Sequence, residues 1–179
     1  MPATGPASLT PTQQRFRLDA ATGYLMLGMS EAALRELADF EETSIPPVLR
    51  LRGEALREQE RHGEALEQFD RLLGVRPSDL SAAIGKAWCL KRLSRIEEAI
   101  DTLRAAAPRH PNEALVQYNL ACYFALTGDK DRCLSHLGIA LRIDPSYVDL
   151  MPEEPDFDGL REDADLLDLV ARVSGTVKA

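Results

Sequence analysis

A 34-residue period constrains the fold of this chain more than any other feature of the sequence. Prolines recur at two successive intervals of 34 residues, at Pro77, Pro111 and Pro145. Six further columns of small or apolar residues keep the same step: Gly53/Ala87/Ala121, Leu56/Leu90/Phe124, Ala65/Ala99/Cys133, Leu66/Ile100/Leu134, Phe69/Leu103/Leu137 and Leu72/Ala106/Ala140. Seven aligned columns indicate a structural unit that is repeated along the chain.

Each unit has the hydrophobic pattern of a helical hairpin. In the second half of one unit, apolar residues recur at i, i+1, i+4, i+7 and i+8, which places them on one side of a helix; they are Ala65, Leu66, Phe69, Leu72 and Leu73. The first half combines a small residue, where two helices approach closely, with a bulky one a turn later. The closing proline cannot donate a backbone hydrogen bond, so it ends the second helix, and Ser78 and Asn112 are predicted N-caps of the helices that follow.

This pattern resembles the tetratricopeptide repeat family, in its bacterial type, whose 34-residue hairpins end in a proline. Three units match clearly, at residues 44–77, 78–111 and 112–145. A degenerate unit at about 12–43 reproduces the columns at a shift of 32 and lacks the closing proline in register. The resemblance implies an all-α, right-handed solenoid of helix-turn-helix repeats over residues 10–145.

The two ends of the chain differ in composition from the repeats. Residues 1–9 are rich in Pro, Ala, Thr and Ser and are predicted to be disordered, with a helix starting at Thr10 and Pro11. Residues 146–179 are predicted to be an acidic capping segment that ends in a helix packed on the last repeat. The apolar residues predicted to make that contact are Leu160, Leu166, Leu167, Leu169 and Val170.

Charge and hydropathy exclude several classes of partner. The chain has 179 residues, a net charge of -8 and a pI near 4.9, and it has no Lys/Arg cluster, so nucleic acid and anionic membranes are poor partners. We expect a cytoplasmic protein, because the sequence shows neither a signal peptide nor a stretch of about 20 apolar residues. Three cysteines without C-x-x-C spacing suggest neither a disulfide framework nor a zinc site.

A search for catalytic patterns finds none. Phosphate-binding glycine loops, nucleophile elbows and H-E-x-x-H are absent from the sequence. His62, His110 and His136 fall in different columns and are interpreted as solvated surface residues. Asp156 and Asp158 lack the further ligands of a calcium loop. We therefore expect a chain that is not an enzyme and that uses no cofactor or metal.

The first helices of stacked hairpins line a concave side, which predicts a partner-binding groove. Trp88 and Tyr118 are predicted anchors for a partner segment, and three cations are predicted to select its acidic residues. In the alternative interpretation, the aromatic rings pack on a neighbouring repeat or on the C-terminal segment, and the arginines are a solvated face. The complete predicted groove comprises Arg50, Arg57, Ile84, Trp88, Lys91, Tyr118, Asn119 and Cys122.

The resulting hypothesis is a non-catalytic scaffold that binds a peptide or a helix of another protein. Glu54 stands one turn after Arg50, where chaperone-binding members of the family have asparagine, so capture of a chaperone C-terminus is not supported. One alternative is a small secretion or assembly chaperone that forms a homodimer through Tyr24, Met26 and Leu27. A further alternative has the acidic residues 149–168 fold over the cationic groove or form a dimer contact, rather than remain a solvated face. The partner and the pathway stay open.

Overall fold

The computed structural model describes residues 9–40 and 44–177, and these residues fold into α-helices and short 3-10 helices without any β-strand. The predicted all-α fold of consecutive helical hairpins followed by a C-terminal helix is confirmed. The α-helices are α1 (Pro11–Met26), α2 (Ser30–Leu37), α3 (Pro46–Glu58), α4 (His62–Val75), α5 (Leu80–Arg92), α6 (Ile96–Ala106), α7 (Ala114–Leu126), α8 (Lys130–Ile143) and α9 (Ala164–Val177).

Three 3-10 helices complete the described secondary structure, at Ala107–Arg109, Pro145–Glu153 and Pro155–Leu160. The last two are consecutive, and we call them the 3-10 segment (residues 145–160). In the described part of the chain, no helix has the length and apolar character that crossing a membrane requires. Residues 1–8, which belong to the segment predicted to be disordered, lie outside the described residues, as do residues 41–43 of the degenerate unit.

The turn inside each hairpin repeats as regularly as the helices do. A residue in the left-handed backbone region stands in each of four short links between consecutive helices, at Gly28 (φ 69°), Glu60 (φ 58°), Ser94 (φ 60°) and Gly128 (φ 75°). These positions are 32, 34 and 34 residues apart, the same steps that the sequence columns show. The degenerate first repeat therefore has the same turn geometry as the later repeats and a shorter period.

Helix starts agree with the sequence at one end of the array and differ by one residue inside it. Thr10 caps α1 as predicted, in a reciprocal capping box with the first turn. The N-cap of α5 is Asp79 rather than the predicted Ser78, because the Asp79 carboxylate accepts a hydrogen bond from the backbone N–H of Ala82 in the first turn, at 3.0 Å. The N-cap of α7 is Glu113 rather than Asn112, and it makes no side-chain capping hydrogen bond.

Two compact units divide the chain, the first ending at Leu93 and the second beginning at Ser94. In the first unit, α3, α4 and α5 pack around the ring of Phe69, which is 1% exposed. A Cβ atom added to Gly53 would lie 2.7 Å from this ring, and one added to Gly85 would lie 2.5 Å from it. The close approach predicted at Gly53 is thus present, and a second glycine on α5 makes room for the same ring.

In the second unit, α7 is the most buried helix, packed against α6, α8 and the 3-10 segment. Helix α9 packs on α8, and Lys130 at the start of α8 binds Asp163 and Asp165 before and within α9, at 2.6 and 2.7 Å. Leu166 is buried as predicted for the capping helix, whereas Leu167 is 53% exposed, because successive helical residues point about 100° apart.

Candidate functional site

The first unit holds a half-buried tryptophan with two guanidinium groups near its ring. The carbon of the Arg57 guanidinium lies 5.3 Å from the centre of the Trp88 ring, and that of Arg92 lies 5.8 Å from it. His62 approaches the ring edge-on, with the ring centres 5.2 Å apart. These four residues, which we call the Trp88 cluster, come from the end of α3, the start of α4 and the end of α5.

Two polar atoms of the Trp88 cluster are buried without a hydrogen-bond partner, the Arg57 Nε and the His62 Nδ1. Unsatisfied buried polar atoms are uncommon, since each costs about 1–3 kcal/mol. His62 is therefore not the solvated surface histidine that the sequence suggested. Burial also raises the pKa of the neighbouring Cys89 thiol to about 11, against the opposing effect of the Arg57 charge.

This arrangement can bind a carboxylate next to an aromatic surface. A guanidinium near an indole face makes a cation–π contact, and it can still offer N–H donors to an acidic group. Trp88 and Arg57 were both predicted as groove residues, whereas Arg92 and His62 were missed. Arg92 follows Trp88 by one helical turn, so the i, i+4 spacing on α5 could have revealed it.

The other groove residues predicted in the first unit are half-buried, and one of them shares its charge with a carboxylate. Arg50 forms an ion pair with Glu54 at 3.2 Å, one turn along α3. Its charge is therefore already matched within the helix, unlike the free cation that the sequence suggested. Ile84 and Lys91 lie on α5, before and after Trp88.

In the second unit, the predicted groove residues on α7 lie under the 3-10 segment. Tyr118 is 4% exposed and Cys122 is 2% exposed. The Tyr118 ring packs against Tyr147 and Phe157, with centre distances of 4.8 and 5.8 Å, and burial raises its pKa. The prediction that Tyr118 and Cys122 line an open groove is wrong, because both side chains are buried and Tyr147 and Phe157 pack on the Tyr118 ring. Asn119 on the same helix remains half-buried.

Arg161 fixes the shape of the covering 3-10 segment. Its guanidinium donates to the carbonyl oxygens of Pro152 and Glu154, at 2.8 and 3.1 Å, and to the Asp158 carboxylate at 2.6 Å. Phe157, which is 1% exposed, points inward toward α7. The cover over α7 is therefore built mainly from apolar contacts.

Comparison with known proteins agrees with the repeat geometry. Residues 50–114 match the family model described as Tetratricopeptide repeat. Residues 50–114 are therefore of the tetratricopeptide repeat type. No curated protein sequence matches the chain.

Similar solved structures extend the likeness over most of the repeat protein. MamA from Desulfovibrio magneticus RS-1, starting at its residue 41, is 21% identical, with a TM-score of 0.75 over 96% of this chain and 98% of that one. A second MamA crystal structure is 14% identical, with a TM-score of 0.76 over 93% of this chain and 94% of that one. At these identities the likeness is one of fold.

Proposed function

We propose that this repeat protein is a non-catalytic protein-interaction module whose Trp88 cluster binds an acidic segment, extended or helical, of a partner protein. The observation that carries the proposal is the Trp88 ring held near the guanidinium groups of Arg57 and Arg92. The half-buried Arg57 and the exposed Arg92 support it, because a carboxylate from a partner can accept hydrogen bonds from guanidinium groups. Tetratricopeptide repeats commonly supply such surfaces from the first helices of their hairpins.

The residue types fit an interface of this kind. Tryptophan and arginine are the side chains most often found to dominate binding energy, because they bury large areas or make forked hydrogen bonds. Ile84 would add apolar contact and Lys91 further positive charge on the same helix. Tyr118 and Cys122 would contact a partner only after the 3-10 segment leaves α7, so the proposed site is confined to the first unit.

Trp88 is the only tryptophan of the chain, so its fluorescence reports on this site directly. We would titrate the protein with a synthetic peptide that alternates acidic and leucine residues, and with a matched peptide carrying the corresponding amides. The acidic peptide should bind saturably and at least about 10-fold more tightly than the amide peptide, a difference of about 1.4 kcal/mol. Arg57→Gln and Arg92→Gln should each weaken the acidic peptide by about 10-fold.

Arg15→Gln is the matched control, since the Arg15 side chain lies on α1 and is 87% exposed. This variant should bind the acidic peptide like the wild type. Circular dichroism would show that all variants are equally helical. The proposal would fail if the amide peptide bound equally well, or if Arg57→Gln and Arg92→Gln behaved like Arg15→Gln.

A second candidate function is self-association through α1. Phe16 on α1 and Leu27, the C-cap residue that follows α1, are 71% and 73% exposed. They are eleven residues apart, about three helical turns, so the two side chains lie toward one side of the helix. Gly23 between them has no atom within 4 Å of a Cβ position, so this side is open. Of the residues predicted for self-association, Met26 is also exposed, whereas Tyr24 is partly buried against the core of the first unit.

Sedimentation velocity tests this second candidate. If two copies associate through α1, the wild type should show a concentration-dependent shift to a dimer at micromolar concentrations, and the Phe16→Glu/Leu27→Glu variant should sediment as a monomer. Leu93→Glu provides a control at another exposed apolar residue. A monomeric wild type, or a dimer that persists in the double variant, would exclude this surface.

A further inference from the structure

Three side chains of metal-ligand type meet beneath the 3-10 segment. Cys122 belongs to α7, Glu154 and Asp156 belong to the 3-10 segment, and their ligand atoms all lie within 4.8 Å of one another. Cys122 is 2% exposed, Asp156 is 7% exposed and Glu154 is half-buried. Tertiary structure alone assembles this group, since Glu154 follows Cys122 by 32 residues.

A buried hydroxyl without a partner lies beside the three ligands. Tyr118 precedes Cys122 by one helical turn, and its Oη atom is buried and accepts or donates no hydrogen bond. Its ring contacts Phe157, the neighbour of Asp156 in the 3-10 segment, so the phenol lies next to the same group. Leaving a buried hydroxyl unsatisfied costs about 1–3 kcal/mol, which points to a further group bound at this position.

The chemistry of the donors selects the kind of group. Two carboxylates and a thiol that meet in one largely buried space form a set of donors that can bind a cation. Magnesium and calcium prefer oxygen ligands alone, whereas zinc accepts thiolate sulfur together with carboxylate oxygen. We propose that Cys122, Glu154 and Asp156 bind a divalent cation of the zinc type, with the Tyr118 hydroxyl next to the ion.

The geometry is compatible with such an ion after small side-chain rotations. Zinc binds sulfur at about 2.3 Å and carboxylate oxygen at about 2.0–2.2 Å, so tetrahedral ligand atoms lie about 3.5 Å apart. Arg161 already holds the backbone around Glu154 in place through its hydrogen bonds to Pro152 and Glu154. Binding releases the Cys122 thiol proton to solvent and joins the 3-10 segment to α7 through the ion.

Cobalt(II) titration of the full chain, after chelator treatment and under reducing conditions, tests the site. Co²⁺ should produce the near-ultraviolet charge-transfer band of a cobalt thiolate, Zn²⁺ should displace it, and Mg²⁺ should not. Cys122→Ser should abolish the band, whereas Cys133→Ser should retain it, since Cys133 lies on α8 outside the group. Asp156→Asn should weaken Co²⁺ binding by at least about 10-fold.

Asp149→Asn is the matched control, because Asp149 is an exposed acid of the same 3-10 segment. It should leave Co²⁺ affinity within about 2-fold of the wild type, by contrast with ligand loss. A wild-type protein without the band, or a band that Cys133→Ser removes and Cys122→Ser keeps, overturns the proposal. If Cys122→Ser loses its helical circular dichroism, Asp156→Asn decides: an affinity equal to that of Asp149→Asn overturns the site.

Discussion

Side chains at equivalent positions of the repeat are buried to different extents in the two units. Trp88 on α5 and Cys122 on α7 are 34 residues apart, as are Ile84 and Tyr118. Trp88 and Ile84 are half-buried, and Trp88 lies beside arginines, whereas Cys122 and Tyr118 are buried under the 3-10 segment. The position of a residue in the repeat thus determines on which side of its helix the side chain lies. Whether that side is exposed or buried depends on the segments that pack against it, as the 3-10 segment packs against α7.

The largest expected effect comes from removing the cover of α7. Phe157→Ala deletes a ring that is 1% exposed and that contacts Tyr118, so we expect it to lower the free energy of unfolding by about 3–5 kcal/mol. Urea denaturation followed by circular dichroism measures this change. Leu167→Ala, at a side chain that is 53% exposed, should change stability by less than about 0.5 kcal/mol. Similar losses for both variants would show that the 3-10 segment does not protect α7.

The next effect tests packing in the first unit. Gly85→Ala places a Cβ atom 2.5 Å from the Phe69 ring, so the ring must shift, and we expect a loss of about 1–3 kcal/mol. In the next repeat, Leu103 stands at the position of Phe69, and Asn119, which has a side chain, stands at the position of Gly85. A side chain smaller than phenylalanine at position 69 should therefore relieve the clash. The cost of Gly85→Ala should therefore be smaller in a Phe69→Leu background. Equal costs in both backgrounds would contradict the steric explanation.

A pH-dependent difference should distinguish the second unit. His136 Nδ1 lies 2.7 Å from the Gln117 Oε1, and its ring stacks on Phe124. Burial, with Arg104 and Arg132 as further causes, holds the pKa of His136 below its ordinary value of 6.5.

Just below pH 6.5, His136 therefore binds more protons in the unfolded chain than in the folded one. The free energy of unfolding should fall as the pH decreases from 6.5 toward the lowered pKa of His136. Urea unfolding between about pH 7.5 and about pH 5.5 should show this slope in the wild type and a weaker one in His136→Gln. His110→Gln should keep the slope. A wild-type slope unchanged by His136→Gln would assign the effect to another group.

The smallest effect compares the same turn position in the two units. Glu60 adopts a left-handed backbone (φ 58°) where the second unit has Gly128 (φ 75°). Glu60→Gly should raise the free energy of unfolding by up to about 1 kcal/mol, because glycine adopts this conformation without strain. Gly128→Ala should lower it by a similar amount, measured by the same urea experiment. A loss of stability in Glu60→Gly would mean that the Glu60 side chain makes a contribution larger than the backbone strain.

Sequence reasoning was most successful where a property depends on neighbours along the chain. The 34-residue columns and the proline period predicted the helical hairpins, and Thr10 was correctly identified as a helix start. The predictions at Ser78 and Asn112 were off by one residue, since a cap depends on which side chain reaches the first-turn amides. The bounds predicted for the individual repeats stay predictions.

The candidate sites show where such reasoning ends. Trp88 and Arg57 could be selected from their columns, and they do lie together in the structure. His62 could not be added, because its contact with Trp88 joins the start of α4 to α5. Tyr118 and Cys122 were placed on the correct helix, but no column showed that both would be buried or that Phe157 would pack on Tyr118.

By itself, the sequence determined that this chain forms helical hairpins with a regular turn, because periodic apolar residues and prolines act over one or two helical turns. Tertiary structure decided which hairpin surface stays accessible and which is buried. It joined Cys122 to Glu154 and Asp156 and placed Arg57 beside Trp88. The physical reason is that burial depends on contacts between residues distant in sequence, which a repeat period does not encode.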